Sequence, residues 1–137
     1  MEILMSNEHI LIIIVSSLLS GIIGVVVSFL FYRNLELRKL KYDTARKLFG
    51  NRHDTSGREF TEAINEIMIV YSDSAAVMKA LQVMWDIVKT PQSARHAKAP
   101  DEALIKLMKA ICKDIGIKYK NLPDSHYLQF FAVPPNA

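Results

Sequence analysis

Apolar positions along this chain follow two different patterns. From Ile10 to Tyr32 there are 23 consecutive residues without a charge, dominated by Ile, Leu, Val and Phe. As a helix this run extends about 34 Å, enough to cross a hydrocarbon core about 30 Å thick. It predicts a transmembrane helix over 10–32, preceded by a short extracytoplasmic segment over 1–9. A cleavable signal peptide would need a basic start and a shorter apolar stretch, whereas Glu2 and Glu8 precede the run with no Lys or Arg.

After Tyr32 the apolar residues recur at helical spacing among charged ones. Leu37, Leu40, Thr44 and Leu48 predict a juxtamembrane helix over 33–49, with Gly50 as its stop and a polar loop or hinge over 50–57. Ser56 and Glu59 have capping-box spacing, so a helix begins near Gly57 and carries Phe60, Ala63, Ile64, Ile67 and Met68 on one face. Ser72, Asp73 or Ser74 caps a second helix, whose apolar positions are Val77, Leu81, Met84, Trp85 and Val88. A loop over 90–99 follows. Pro100 suits a first helical turn, as do Asp101 and Glu102. Leu104, Leu107, Met108, Ile111 and Ile115 form the third stripe, which Gly116 ends.

The tail reads as an extended segment lying across the bundle and burying Tyr127, Phe130 or Phe131, before Pro134 and Pro135 prevent further regular structure. The expected fold is therefore all-α: one N-terminal transmembrane helix, then a small three-helix cytosolic domain over 58–137 with an extended C-terminal tail. Phe60, Ile64, Leu81, Trp85, Leu107 and Ile111 are its expected core.

Charge orients the span. All 17 basic residues follow the apolar run, against 12 of the 14 acidic ones, an excess of five. Arg33, Arg38, Lys39, Lys41, Arg46 and Lys47 crowd just behind it. By the positive-inside rule the N-terminus faces outward and the body of this single-pass protein faces the cytoplasm. Anionic lipid headgroups would attract the basic flank. Cys112 stands alone, which fits a reducing compartment, and its helical surroundings suggest a small buried apolar residue.

Within the run, Ser16, Ser20, Gly24 and Ser28 recur every four residues. Residues at that spacing share a helix face, and small side chains allow backbones to approach closely in lipid. This stripe predicts packing of the span against a second copy and hence a homo-oligomer.

Catalytic motifs are lacking in the sequence. The five glycines stand apart, so no phosphate loop forms. No serine sits in a nucleophile elbow. His9, His53, His96 and His126 lack metal-ligand spacing. No catalytic residue, metal or cofactor is expected, and an enzyme is not.

Two basic loop clusters remain: Arg52, His53 and Arg58, and Arg95, His96 and Lys98. On a monomer they read most simply as solvated surface. Multiplied around an oligomer axis, such a ring would hold a phosphate-bearing ligand.

The soluble part resembles a family of uncharacterised bacterial helical domains that often follow one membrane span. The resemblance rests on Ala63-Ile64-Asn65-Glu66-Ile67, Tyr71-Ser72-Asp73, Trp85, Leu104-Ile105-Lys106-Leu107-Met108 and Ile115-Gly116. In layout the chain is also similar to small membrane effectors of type III CRISPR antiviral defence. That likeness implies a cytosolic oligomer that senses an anionic nucleotide, cyclic oligoadenylate, and acts on the membrane. The alternative is a membrane-anchored helical scaffold that recruits a protein partner without a small ligand. Membrane lipid and further copies of the chain are the other expected partners; DNA is not.

Overall fold

The computed structural model describes residues 7–129, and their regular elements are all helical: α1 (Asn7–Gly50), α2 (Arg58–Val70), α3 (Ala75–Lys89), a 3₁₀ turn (Gln92–Ala94), α4 (Ala99–Ile115) and α5 (Asp124–Leu128). The chain divides into two compact units, residues 1–37 and residues 38–137.

In the first unit α1 is long and apolar enough to cross a membrane, and none of its most apolar stretch is buried. Ser16, Ser20, Gly24 and Ser28 lie exposed on it, and a Cβ added at Gly24 would meet nothing within 4 Å. The small-residue face is therefore open on a single chain.

The second unit has a continuous core, built around α4. That helix buries seven residues, from Ala103 to Ile115, whereas α3 buries only Val77 and Leu81, so α4 is the central element and α3 an outer layer. The same core cluster takes in Phe60, Ala63 and Ile67 of α2, then Tyr71 and Tyr127, all nearly solvent-free. Ala45 and Leu48 of α1 complete this core. The compact unit thus starts at Arg38, and the juxtamembrane stretch expected over 33–49 contributes its last turns to the packing.

The boundaries follow local chemistry. Gly116 adopts φ +80°, and the Ile117 amide donates to the Cys112 carbonyl at 2.8 Å, the Schellman arrangement that ends a helix. At the start of α2 the cap is Gly57, not Ser56, and no side chain caps it. The Asp54 carboxylate occupies the space a side chain at 57 would need. Ser74 takes the cap position of α3 without a side-chain bond.

Two expectations need correcting. Trp85 is not in the core; it is 39% exposed. Each step of four residues turns a helix about 40° past a full turn, so Trp85 has rotated about 80° from Val77 and leaves the buried stripe. Of the other expected core residues, Phe60, Leu81, Leu107 and Ile111 are buried and Ile64 is half-buried. The second correction concerns the segment after Gly116, which is not extended throughout. Pro123 precedes Asp124 and the short helix α5, a favourable start because proline presets φ and the carboxylate suits a helix N-terminus. Tyr127 is buried as expected, packed 6.4 Å from the Phe49 ring. Phe130 and Phe131 lie outside the described residues.

Candidate functional site

The most connected polar cluster in the second unit centres on Lys41 of α1. Its ammonium lies 2.8 Å from Asp73, in the α2–α3 turn, and 2.9 Å from Asp114, at the end of α4. It also sits 5.3 Å over the Tyr71 ring. The Tyr71 hydroxyl donates to the Lys41 carbonyl at 2.7 Å, and the Tyr42 hydroxyl donates to the Ile115 carbonyl at 2.9 Å. Three elements therefore meet on one turn of α1.

The electrostatics fit that geometry. Burial pulls the Lys41 pKa down, but the two carboxylates outweigh it and leave the ammonium's pKa raised. The hydrogen bond from Lys41 holds Asp73 below its ordinary value. Burial, aided by the nearby Asp114 charge, pushes the Tyr71 phenol up. One turn further on, Lys47 bonds Glu66 at 2.8 Å and the buried Thr44 hydroxyl donates to the same carboxylate. The Lys47 bond is the main cause of a lowered Glu66 pKa. These groups hold opposite charges against one another across α1, α2, the α2–α3 turn and α4, the arrangement of a structural clasp. Cys112 is buried and its thiol is pushed up by burial, which keeps it protonated and unreactive.

The six residues of the two basic loops are placed differently from one another. The Arg52 guanidinium donates to the Phe49 carbonyl and to the Gln129 carbonyl, tying the end of α1 to the chain after α5. Its Nε is buried with no acceptor. Arg95 bonds the Thr90 and Val88 carbonyls and so closes the C-terminus of α3. Cations suit that end of a helix. Arg58 pairs with Glu62 one turn along α2 at 2.6 Å. His53 Nδ1 lies 3.2 Å from the Gly50 carbonyl. The Lys98 amide donates to His96 Nδ1 at 3.4 Å, and Lys98 takes the cap position of α4.

Between α2 and α3 runs an apolar groove of about 180 Å³. Thr55 of the first loop lines it together with Phe60, Ile64, Leu81, Trp85 and Val88. Val88 also supplies a carbonyl to Arg95, so both basic loops border the same end of the groove. A neighbouring shallow depression is lined by Met68, Met78, Gln82, Trp85 and Lys89, and Lys89 stands 5.7 Å over the indole. Sequence periodicity missed both depressions because it counted Trp85 as core. The Lys41 clasp was also missed, since nothing in residue order pairs Lys41 with Asp73 and Asp114. Among the described residues no group of three His, Cys, Asp or Glu stands close enough to hold a metal ion.

These features define a class: an all-helical unit whose core is completed by the end of a helix long and apolar enough to cross a membrane. Residues 5–125 match a family of unknown function, DUF6680, and the chain belongs to that family. No curated protein and no solved structure matches the chain.

Proposed function

We propose that this protein is a membrane-anchored recruitment module. The apolar run of α1 spans a bacterial inner membrane once, with the N-terminus outside and residues 33–137 in the cytoplasm. Copies associate through Ser16, Ser20, Gly24 and Ser28. The α2–α3 face engages a protein partner.

One observation carries this reading. The outward side of α2 and α3 leaves large apolar groups in water: Met68 and Trp85, 48% and 39% exposed, line one depression, and Ile69, next to Met68 in the chain, is 78% exposed. Clustered apolar exposure of this kind marks interaction surfaces, and methionines suit adaptable ones. A second reading, anionic-nucleotide sensing in antiviral defence, is favoured by the two basic loops bordering one groove. It is the weaker reading, because Arg52 and Arg95 would have to release backbone carbonyls and Arg58 its Glu62 partner.

A photo-crosslinking side chain at position 69, in cells, tests the proposal. A single defined protein adduct, lost when Met68→Glu is added, is the expected result. Lack of any adduct defeats it. A saturable thermal shift of the purified chain with cyclic oligoadenylates or other anionic nucleotides, abolished by Arg95→Ala, would favour sensing instead. Such a ligand at a hundred times its Kd adds about 2.7 kcal/mol.

A further inference from the structure

Helix α4 ends in a group of basic side chains around one exposed apolar residue. The Schellman turn at Gly116 fixes Ile117 through its amide bond to the Cys112 carbonyl. A residue at this position often packs back onto the last turn of its helix, yet Ile117 stays 41% exposed. Lys113 comes one turn before it and Lys118 directly after it, and both are exposed. The Arg38 guanidinium stands at the same place, since a Cβ added at Gly116 would meet it at 3.9 Å. Among the described residues Arg38, Lys113 and Lys118 form no ion pair. Asp114, next to Lys113 in the chain, is turned to Lys41 together with Asp73. Three unpaired positive charges therefore accompany an isoleucine in water.

The other end of α4 is balanced, with Arg95 and Lys98 matched in number by Asp101 and Glu102. Lys98 and Lys113 stand about 22 Å apart along the helix axis, and the Debye length at physiological salt is only about 8 Å. An anionic surface therefore attracts one end of this helix and not the other. Chain connectivity supplies such a surface. Arg38 comes six residues after Tyr32, the end of the apolar run. Six residues reach at most about 22 Å whatever path they take, so Arg38 and the end of α4 stay near the membrane that the run crosses. Three charges and one isoleucine make a weak site for a free protein. A tether this short makes the encounter intramolecular, which raises the effective concentration of the surface without any new contact.

We propose that Arg38, Lys113, Ile117 and Lys118 form a contact surface for the anionic phospholipid headgroups of the membrane. The cations meet the phosphates, and the Ile117 side chain enters the boundary between headgroups and acyl chains, the mode of interfacial binding that combines apolar burial with basic residues. The contact rests on α1 crossing the membrane, as proposed above, and needs no partner at the α2–α3 face. It lies on an element more than sixty residues beyond the basic flank that follows the span.

Lysine acetylation by a water-soluble reagent, followed residue by residue with mass spectrometry, tests this in the full-length protein. Nanodiscs of phosphatidylcholine alone are compared with nanodiscs that also contain phosphatidylglycerol. A surface potential of about −30 mV draws protons to nearby amines and lowers their reactive fraction about threefold. Lys113 and Lys118 are expected to react slower by about that factor in the anionic discs, with Lys98 unchanged. Equal rates in the two kinds of disc overturn the proposal. Equal slowing of Lys98 also overturns it, because the attraction would then belong to the whole unit. As a second measurement, Ile117→Glu places a carboxylate at the exposed centre of the contact. Lys113 in this variant is expected to react equally fast in both discs, and slowing that persists overturns the proposal. If the variant does not fold, the wild-type comparison decides alone. Protein that copurifies with neither kind of disc defeats the span and the contact with it, whereas copurification with equal rates defeats the contact alone.

Discussion

The Lys41 carbonyl accepts the Tyr71 hydroxyl at 2.7 Å while the Lys41 ammonium lies 5.3 Å over the Tyr71 ring. One lysine is thus gripped at both its backbone and its side-chain end by a single buried tyrosine. The grip fixes the rotation of α1 about its axis at this point, because the carbonyl and the side chain point in different directions from the helix.

Replacing Lys41 with Met keeps the packing stem but leaves Asp73 and Asp114 without their shared cation. A hydrogen bond to a charged group contributes about 1.5–3 kcal/mol, and the expected loss is of that order. Thermal unfolding of the full-length protein in detergent reads it. Tyr71→Phe removes only the hydroxyl bond and is expected to cost about 0.5–1.5 kcal/mol. A Lys41→Met protein as stable as wild type would show that the clasp adds nothing.

Acid should loosen the same region. Glu66 and Asp73 are held below their ordinary values of 4.5 and 3.8 by Lys47 and Lys41 respectively. Their unfolded forms therefore take up protons first as pH falls. The stability these carboxylates contribute is fully present above those ordinary values and is lost as pH drops through the lowered ones. Unfolding midpoints measured from pH 6 down to pH 2 should fall, with a shallower slope in Glu66→Gln. Lys41, raised above 10.5, contributes in the opposite sense: its share is intact below 10.5 and is lost as pH climbs past the raised value.

Gly116 sits at φ +80°, where an L side chain costs about 1–2 kcal/mol. Gly116→Ala should lower stability by that amount. Gly50 ends α1 with φ outside the left-handed region and open space around an added Cβ, so Gly50→Ala should not destabilise. Equal effects from the two substitutions would contradict this distinction, and paired thermal melts decide it.

Trp85→Ala should cost well below the about 3–5 kcal/mol of a fully buried aromatic, since the ring is 39% exposed. Chemical denaturation of the variant should show a stable fold, while photo-crosslinking from position 69 should weaken. An unfolded Trp85→Ala protein would restore the indole to the core.

The elements that alternate cleanly were readable from residue order. Leu104 to Ile115 with Gly116 behind it states a helix, its buried face and its stop, and the structure reproduces all three. Trp85 was misplaced because periodicity identifies a stripe but not which of its edges a neighbour covers, and α3 is an outer helix. The capping box at Ser56 failed by one position because Asp54 folds back over Gly57, a contact that spacing does not encode. The basic loops were read as a ligand surface from residue type alone. That Arg52 reaches a carbonyl 77 positions later, or that Arg95 turns back onto its own helix, depends on the assembled fold.

Ala45 and Leu48 belong to the same continuous helix as the apolar run, yet they are 4% and 0% exposed within the second unit's core. A protease cutting between residues 38 and 50 would therefore not shed an intact soluble fragment. It would strip a wall from the fold and uncover Phe60, Ile67 and their neighbours to water. Where the chain is clipped therefore decides its fate: a cut within 38–50 unmakes the fold, whereas a cut on the apolar side of Arg38 leaves every wall of the core in place.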